Sequence, residues 1–192
     1  MAAARRLYRR RPSRIWFLAA LFVALVAARW AWDRWRPVAD PHFVPPPSDK
    51  CRYVVERVID GDTLLVRAAD GEPHDPAAPR QFRLRLLGID CPETVHPDRP
   101  IEPWGPEATA FTSDFVQDRT LRLVYDRRRT DNYDRYLAYV YVDERLLNEE
   151  LVRSGLAVVK TFPGDSESVA RRLRAAEKEA RENARGVWSG PP

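Results

Sequence analysis

The chain has 192 residues and a formal net charge of +4, yet residues 1–36 alone hold nine arginines and one acidic residue. The remaining residues contain 23 basic and 27 acidic side chains, so the bulk of the chain is slightly acidic. This balance excludes nucleic-acid binding through a generally basic domain, and a nucleic acid would have to be held by a local group of arginines. The length suits one compact domain with extensions.

The N-terminal extension has the pattern of a membrane-insertion segment. Residues 1–14 carry six arginines and precede an uncharged run at 15–28, which lengthens to 15–32 if Arg29 is included. Tryptophans at both ends of this run are typical of the two membrane–water interfaces. We predict a basic cytoplasmic N-terminus over 1–14 and a single-pass transmembrane signal-anchor helix over 15–32. Because arginines stay on the cytoplasmic side, the rest of the chain is predicted to be extracytoplasmic.

A cleavable signal peptide is the alternative explanation of the same segment. It has the same basic start and apolar run, and the small residues Ala27 and Ala28 would suit a cleavage site, which would give a secreted protein. The tryptophans after the run favour the uncleaved anchor. Both alternatives predict export. In both, the apolar segment is followed in the chain by a proline-rich linker over 33–49 and a folded domain over 50–190.

The first half of the domain is predicted to form three strands. They lie over residues 53–59, 63–67 and 81–89. The first two flank Asp60-Gly61-Asp62, a turn signal typical of hairpins. In the third, Arg83 and Arg85 alternate with apolar residues, so a period of two puts both arginines on one face. The loop between the second and third strands, 68–80, contains three prolines.

Helices and two further strands fill the second half of the domain. They are predicted as a helix that opens at Gly105, strands over 120–125 and 136–142, a short helix capped by Asn148 that stops at Gly155, and a final helix over 166–183. Five short strands with three helices predict an α+β fold that is mainly β. This combination favours a small Greek-key barrel of the oligonucleotide-binding (OB) type.

Two aspartates are candidates for binding a metal ion. Asp62 lies at the tip of the hairpin and Asp90 lies just past the third strand, so their carboxylates converge if that strand packs beside the hairpin. Paired carboxylates without a histidine or thiolate cluster suit a hard cation such as Ca²⁺. An aspartate in a turn is more often only a turn former, so this pair is weak evidence by itself.

Three charged residues add a chemical function to this pair. Glu93 lies three residues after Asp90, where a carboxylate near a metal can accept a proton from water; alone, it would be a loop-surface glutamate. The guanidinium groups of Arg85 and Arg135 match the oxygens of a phosphodiester, which gains negative charge in a five-coordinate transition state. Either arginine alone would be a solvated surface residue, and only the combination indicates phosphodiester hydrolysis.

Five runs of residues together resemble the thermonuclease, or staphylococcal nuclease, family. They are VIDGDT at 58–63, RLLGIDCPET at 85–94, WGPEATAF at 104–111 after His96-Pro97, DNYDR at 131–135 and NEELVRSGLA at 148–157. Their order and spacing match the family over about residues 50–189. The resemblance implies a five-stranded OB barrel with three helices, and a Ca²⁺-dependent endonuclease that hydrolyses DNA or RNA. We expect this enzyme to be a monomer.

The same resemblance assigns roles to individual residues. It implies that Asp62, Asp90 and the backbone carbonyl of Cys91 bind Ca²⁺, that Glu93 is the general base, that Arg85 and Arg135 hold the phosphate and stabilise the transition state, and that Tyr133 contacts the substrate. Its spacing selects Arg85 over Arg83. The chain departs from the family at Cys91, where threonine is frequent, and at Thr161 and Pro163, where well-known members have two tyrosines near the nucleotide.

Two other classes of function are compatible with the fold. One is a non-catalytic OB module that binds nucleic acid or protein at the cell envelope, and the other is a structural or assembly protein of the envelope. The enzyme is favoured because all five residues that the resemblance implies for catalysis are present, namely Asp62, Arg85, Asp90, Glu93 and Arg135. The two cysteines leave a further pair of alternatives: Cys51 and Cys91 form a disulfide, as export allows, or they are two unrelated small buried thiols.

Overall fold

The structure, a computed structural model, describes residues 47–72, 78–95 and 100–190. The predicted segments over 1–14 and 15–32, and nearly all of the linker over 33–49, lie outside these residues. Within the described ranges, no helix is long and apolar enough to cross a membrane. The anchor and the cleaved signal peptide therefore both remain predictions.

The predicted mixed fold, mainly β with three α-helices, is confirmed. Its elements are β1 (Arg52–Asp60), β2 (Thr63–Ala68), β3 (Gln81–Leu86), β4 (Ile89–Asp90), α1 (Gly105–Val116), β5 (Leu121–Thr130), β6 (Tyr136–Val142), β7 (Arg145–Leu146), α2 (Leu147–Arg153), β8 (Val158–Val159), α3 (Glu167–Glu182) and a 3₁₀ turn (Gly186–Trp188). Strands β4, β7 and β8 have two residues each, which is too short to leave an alternating pattern in the sequence. β5 ends at Thr130, five residues beyond the end of the strand that is predicted over 120–125.

Five of the strands close into a barrel. The main sheet runs in the order β3-β2-β1-β5-β6-β7, and β3 also pairs with β6 in parallel, which joins the two sides of the sheet. Closure leaves no open edge between these five strands. The parallel pairing puts Arg85 opposite Leu137. The third predicted strand is therefore adjacent to the strand that begins just after Arg135.

Inward-facing apolar side chains fill the barrel. In β3, Phe82, Leu84 and Leu86 are buried, whereas Arg83 on the opposite face is exposed. Leu64 of β2, which pairs with Leu84, is also fully buried. Each such side chain contributes about 1.5–3 kcal/mol when it leaves water. This burial sets the register of β3, because a shift by one residue would turn the arginines into the core.

Helix α1 packs against the hairpin formed by β1 and β2. Ala108 is fully buried, and the hydroxyl of Thr112 donates a hydrogen bond of 2.6 Å to the carbonyl oxygen of Gly61. Gly61 permits this close approach, since a Cβ atom there would lie 2.7 Å from the Cβ of Ala108. The helix thereby holds in place the turn that carries Asp62.

The two cysteines are not joined by a disulfide in the structure. Cys51 belongs to the buried core of the barrel. Cys91 lies in the turn after β4, and its Sγ would be 3.0 Å from a Cβ atom at position 61. The structure thus agrees with the alternative of two separate thiols.

The predicted role of Asn148 as a helix cap is wrong. Helix α2 begins at Leu147, after Leu146 as its N-cap, and Asn148 lies within the first turn and is fully buried. Its side-chain oxygen accepts a hydrogen bond of 3.0 Å from the N–H of Val140, and its amide donates one of 2.9 Å to the carbonyl oxygen of Leu87. A polar residue near a helix start is compatible with both roles, and only the packing of α2 on the barrel distinguishes them.

Replacement of Asn148 by leucine should destabilise the barrel. The change leaves the N–H of Val140 and the carbonyl of Leu87 buried without their partner, at about 1–3 kcal/mol for each group. We expect the free energy of unfolding of the full chain, measured by urea denaturation, to fall by about 2–6 kcal/mol. Asn183→Leu, which removes an exposed amide hydrogen bond to the carbonyl oxygen of Glu179, is the matched control. Equal losses for the two variants would contradict the bridging role.

Candidate active site

Asp62 lies at the turn between β1 and β2, and its side chain is only 1% exposed. Asp60 supports this turn, because its Oδ1 accepts a hydrogen bond of 3.1 Å from the N–H of Asp62. The carboxylate of Asp62 accepts hydrogen bonds from the hydroxyl of Thr63 (3.2 Å), the N–H of Cys91 (2.7 Å) and the guanidinium of Arg85. A buried carboxylate requires such donors, because an unpaired buried charge is strongly destabilising.

Arg85 lies between the two aspartates that are predicted to bind metal. It is opposite Thr63 in the pairing of β2 with β3, and its two terminal nitrogens bind Asp62 and Asp90 respectively. One of them also donates a hydrogen bond of 3.3 Å to the carbonyl oxygen of Ile89. The side chain is 16% exposed and that of Asp62 is 1% exposed, so the ion pair between them is only weakly screened. Arg85 therefore holds carboxylates from two separate segments at one place.

The second oxygen of Asp90 pairs with Lys160, which no sequence motif marks. The Nζ of Lys160 lies 2.8 Å from Oδ2 of Asp90. Lys160 is brought there by the antiparallel pairing of β4 with β8, in which Ile89 is opposite Val159. Its own N–H donates a hydrogen bond of 2.9 Å to the carbonyl oxygen of Gly88. Because 70 positions separate Lys160 from Asp90, no local pattern could have revealed this contact.

Arg135 is held by the loop between β5 and β6. Asp131 accepts hydrogen bonds from the N–H groups of Tyr133 (2.9 Å) and Arg135 (3.1 Å), and also one of 2.7 Å from Nε of Arg135. The guanidinium of Arg135 donates a hydrogen bond of 3.3 Å to the hydroxyl of Thr63, next to Asp62. The side chain of Tyr133 is 77% exposed, and its ring centre lies 5.4 Å from Cζ of Arg135.

Glu93 folds back on the turn that follows β4. Its Oε1 accepts hydrogen bonds from the N–H groups of Thr94 (3.0 Å) and Val95 (2.8 Å). The N–H of Glu93 in turn donates a hydrogen bond of 3.0 Å to Oε2 of Glu102. These bonds fix the direction of the carboxylate. Within the described ranges, no hydrogen bond reaches its other oxygen.

All seven predicted site residues line one cleft of about 350 Å³. The full lining is Asp60, Asp62, Arg85, Asp90, Cys91, Pro92, Glu93, Glu102, Tyr133, Arg135 and Lys160. These residues come from the hairpin, β3, the turn after β4, the loop before β6 and the segment after β8. The structure thus brings the predicted residues together, whereas their chemical roles remain predictions. Asp60, Pro92, Glu102 and Lys160 are lining residues that the motifs do not single out.

A smaller recess of about 150 Å³ adjoins the cleft. The two share Arg85, Arg135 and Lys160. Phe162 lines the recess with 47% of its surface exposed, and Cζ of Arg128 lies 4.3 Å from the centre of its ring. Neither Thr161 nor Pro163, the residues in the places of the family's two tyrosines, lines the cleft or the recess. The aromatic residue beside the site is therefore Phe162, which lies between these two residues in sequence and which the motifs do not single out.

The environment of the cleft shifts the pKa of two ionisable groups, the carboxyl of Asp60 and the thiol of Cys91. Burial raises the pKa of the Asp60 carboxyl, although hydrogen bonding to Thr63 and the charges of Arg85 and Arg135 act in the opposite direction. Burial also raises the pKa of the Cys91 thiol. The Cys91 thiol is therefore neutral at ordinary pH.

The donor set of the cleft fits a hard, partly hydrated cation. Its carboxylates supply only oxygen ligands, and they come from Asp60, Asp62, Asp90, Glu93 and Glu102. In the part of the chain that the structure describes, no three or more His, Cys, Asp or Glu side chains are arranged around a common ion position. An ion bound here would have few protein ligands and would keep water in the rest of its shell, which Ca²⁺ and Mg²⁺ tolerate.

Asp131 provides a pH-dependent test of how Arg135 is held. Burial by itself would raise the pKa of Asp131, but hydrogen bonds from the N–H groups of Tyr133 and Arg135 and from the Arg135 side chain lower it below its ordinary value of 3.8. A carboxyl group whose pKa is lower in the folded state than in the unfolded state stabilises the fold at pH values above its ordinary pKa. This stabilisation is lost as the pH falls through the folded-state pKa.

We therefore expect Asp131→Asn to lower the free energy of unfolding near neutral pH, and the difference from wild type to narrow as the pH falls below 3.8. Urea denaturation of the full chain at a series of pH values measures this. Asp134→Asn is the control, since this exposed residue lies in the same loop and only its backbone N–H bonds to Asp131. A difference that stays constant with pH would contradict the prediction.

Comparison with known proteins identifies relatives over the same region. The family described as staphylococcal nuclease homologue matches residues 83–190. Thermonuclease of Staphylococcus hyicus is 39% identical over 137 residues, which cover 71% of this chain and 75% of the relative. Endonuclease YncB of Bacillus subtilis (strain 168) is 33% identical over 136 residues, which cover 70% of this chain and 60% of the relative. These matches show that the chain belongs to the staphylococcal nuclease family.

Proposed function

We propose that this protein is a Ca²⁺-dependent endonuclease that hydrolyses phosphodiester bonds of DNA or RNA. Its family and its relatives named thermonuclease and endonuclease make it a hydrolytic nuclease. The observation that carries the finer proposal is the position of Arg85 between Asp62 and Asp90, in a cleft that also contains Arg135 and Glu93. We assign the barrel to the OB type and expect the protein to act as a monomer.

Asp62, Asp90 and the backbone carbonyl of Cys91 would hold the cation. When bound, Ca²⁺ supplies positive charge that polarises the phosphate and offsets the charge of the transition state. In the structure both aspartates are already paired, Asp62 with Arg85, and Asp90 with Arg85 and Lys160. Lys160 thus acts as a counter-ion at the more exposed carboxylate, whose side chain is 36% exposed, and its charge competes with that of a metal ion.

Glu93 would act as general base and the two arginines as stabilisers. A water molecule attacks phosphorus and gives a proton to Glu93, and a new P–O bond forms. The bond to the leaving 5′-oxygen breaks, and this oxygen takes a proton from solvent water to become a hydroxyl. The phosphorane-like transition state gains one negative charge, which the guanidinium groups of Arg85 and Arg135 stabilise through charge-assisted hydrogen bonds. Tyr133, exposed beside Arg135, would contact the substrate.

Cleavage of single-stranded DNA by the full chain tests this proposal. We expect cleavage with Ca²⁺ and none with a chelator. Glu93→Gln should reduce the rate by about 10²–10⁴-fold, as expected for the loss of a general base, while Ca²⁺ binding measured by calorimetry is retained. Glu107→Gln is the control, since it removes the same charge from an acidic residue in the first turn of α1.

The outcomes separate the alternatives. If wild type cleaves the DNA equally well with and without Ca²⁺, the Ca²⁺ dependence is wrong, although the nuclease assignment stands. If it binds the DNA but cleaves none of it under either condition, the non-catalytic binding module is the correct function. If Glu93→Gln cleaves as fast as wild type, Glu93 is not the base, although the nuclease assignment stands. A loss of Ca²⁺ binding in Glu93→Gln would make Glu93 a metal ligand.

The same proposal includes a location at the cell membrane. Residues 15–32 would anchor the chain, 33–49 would act as a spacer, and the nuclease domain would lie outside the cytoplasm. Six arginines before the apolar run and tryptophans on both sides of it support this orientation. Secretion after signal cleavage is the alternative.

A fusion to a reporter that is active only outside the cytoplasm tests this location. With the reporter placed after Ser48, we expect activity, full-length size and recovery in the membrane fraction. A shortened, soluble and active product would indicate signal cleavage instead. An inactive reporter would contradict export in either form.

A further inference from the structure

Two arginines on the outer surface of the barrel lie in one cross-strand row. In the pairing of β1, β2 and β3, Arg57 is opposite Leu65, and Leu65 is opposite Arg83. Directly opposed residues point to the same face of a sheet. The β-bulge between Val55 and Arg57 produces this arrangement, because the extra residue resets the alternation of β1 so that Arg57 faces outward.

Both arginines are exposed and have no acidic partner within the described ranges. The nearby carboxylate of Glu56 is engaged elsewhere, since it pairs with Arg67 at 3.4 Å and accepts a hydrogen bond from Gln81. Several other surface arginines have acidic partners, as Arg122 has in Glu144, whereas isolated ones such as Arg171 have no described ion pair. In a domain of net negative charge, two uncompensated arginines in one row form a local positive site. We call Arg57 and Arg83 the arginine strip.

The arginine strip is continuous with the candidate active site. Arg83 precedes Arg85 by two residues on the same face of β3, so their Cα atoms are about 7 Å apart along the strand. Arg57 and Arg83 lie on the two sides of β2, so their Cα atoms are about 10 Å apart, which is two strand spacings. The neighbouring row contains Thr63 opposite Arg85, and the hydroxyl of Thr63 accepts a hydrogen bond from Arg135. Positive groups therefore extend from the cleft across three strands of the barrel.

We propose that the arginine strip binds backbone phosphates of the nucleic-acid strand beyond the one that enters the cleft. This inference rests on the proposed nuclease function. Arginines match phosphate geometry, and a strip of about 10 Å corresponds to about three stacked nucleotides at a rise of 3.4 Å. Leu65 between the arginines supplies an apolar surface for sugar or base atoms. The strip makes the enzyme favour long substrates over short ones.

The double variant Arg57→Gln/Arg83→Gln of the full chain tests this surface. We expect the ratio of kcat/KM for a long oligothymidylate to that for a dinucleotide to fall by about tenfold at low salt. Each phosphate contact on a single strand contributes about 0.7 to the slope of log affinity against log salt, so the slope for the long substrate should become shallower by about 1.4. Arg171→Gln, an exposed arginine on α3 without a described ion pair, is the control.

An unchanged length ratio together with an unchanged salt slope would overturn the proposal. A loss that is equal for long and short substrates would also overturn it, because it would show damage to the cleft. If wild type proves unable to cleave, the proposed function fails separately, and binding of fluorescent oligothymidylate still tests the strip. In that case the double variant must show the same shallower slope, or the strip does not bind nucleic acid.

Discussion

The buried carboxylate of Asp62 imposes the main constraint on this site. A negative charge that is 1% exposed is tolerated only with strong donors around it, and Arg85 supplies the positive one. The same guanidinium also binds Asp90, so the turn after β4 is tied to the hairpin. The N–H of Cys91 adds a second tie at 2.7 Å. The hairpin is thereby held to β3 and to the turn after β4 by one ion-pair network, which the rest of the barrel supports.

The closed barrel makes this network precise. Arg85 can reach both aspartates only while β3 keeps its register, and burial of Leu84 and Leu86 on the opposite face sets that register. Pairing of β3 with β6 then brings in the loop that holds Arg135 through Asp131. Charged groups are thus placed by apolar packing on the other side of the same strands, which is the arrangement that preorganised catalytic sites require.

The distribution of charge explains how a slightly acidic domain can bind a polyanion. Many surface arginines are neutralised locally, as in the pairs of Arg153 with Glu149 and of Arg128 with Asp165. In the cleft, Arg85 and Lys160 pair with Asp62 and Asp90, and Arg135 pairs with Asp131. The two arginines of the strip have no acidic partner within the described ranges. A bound cation would offset the carboxylates of the cleft. The positive charges would then be available to phosphates, and the field that attracts substrate would be local.

The sequence by itself determined the family and the mainly β composition with three helices. Its motifs also identified seven of the residues that line the cleft. These features depend on local properties: a period of two in β3, a turn signal at Asp60-Gly61-Asp62, and the spacing from Arg85 to Asp90. Each can be recognised within a few neighbouring residues, so no knowledge of the packed chain was needed.

Tertiary structure alone decided the contacts between distant segments. The pairing of β4 with β8 brings Lys160 to Asp90, and the packing of α2 makes Asn148 a buried bridge rather than a cap. The bulge in β1 turns Arg57 to the face of Arg83. Such contacts depend on how strands of two residues pair and on which surfaces are buried together. Periodicity carries no information about either, because pairing partners are chosen by the free energy of the whole core.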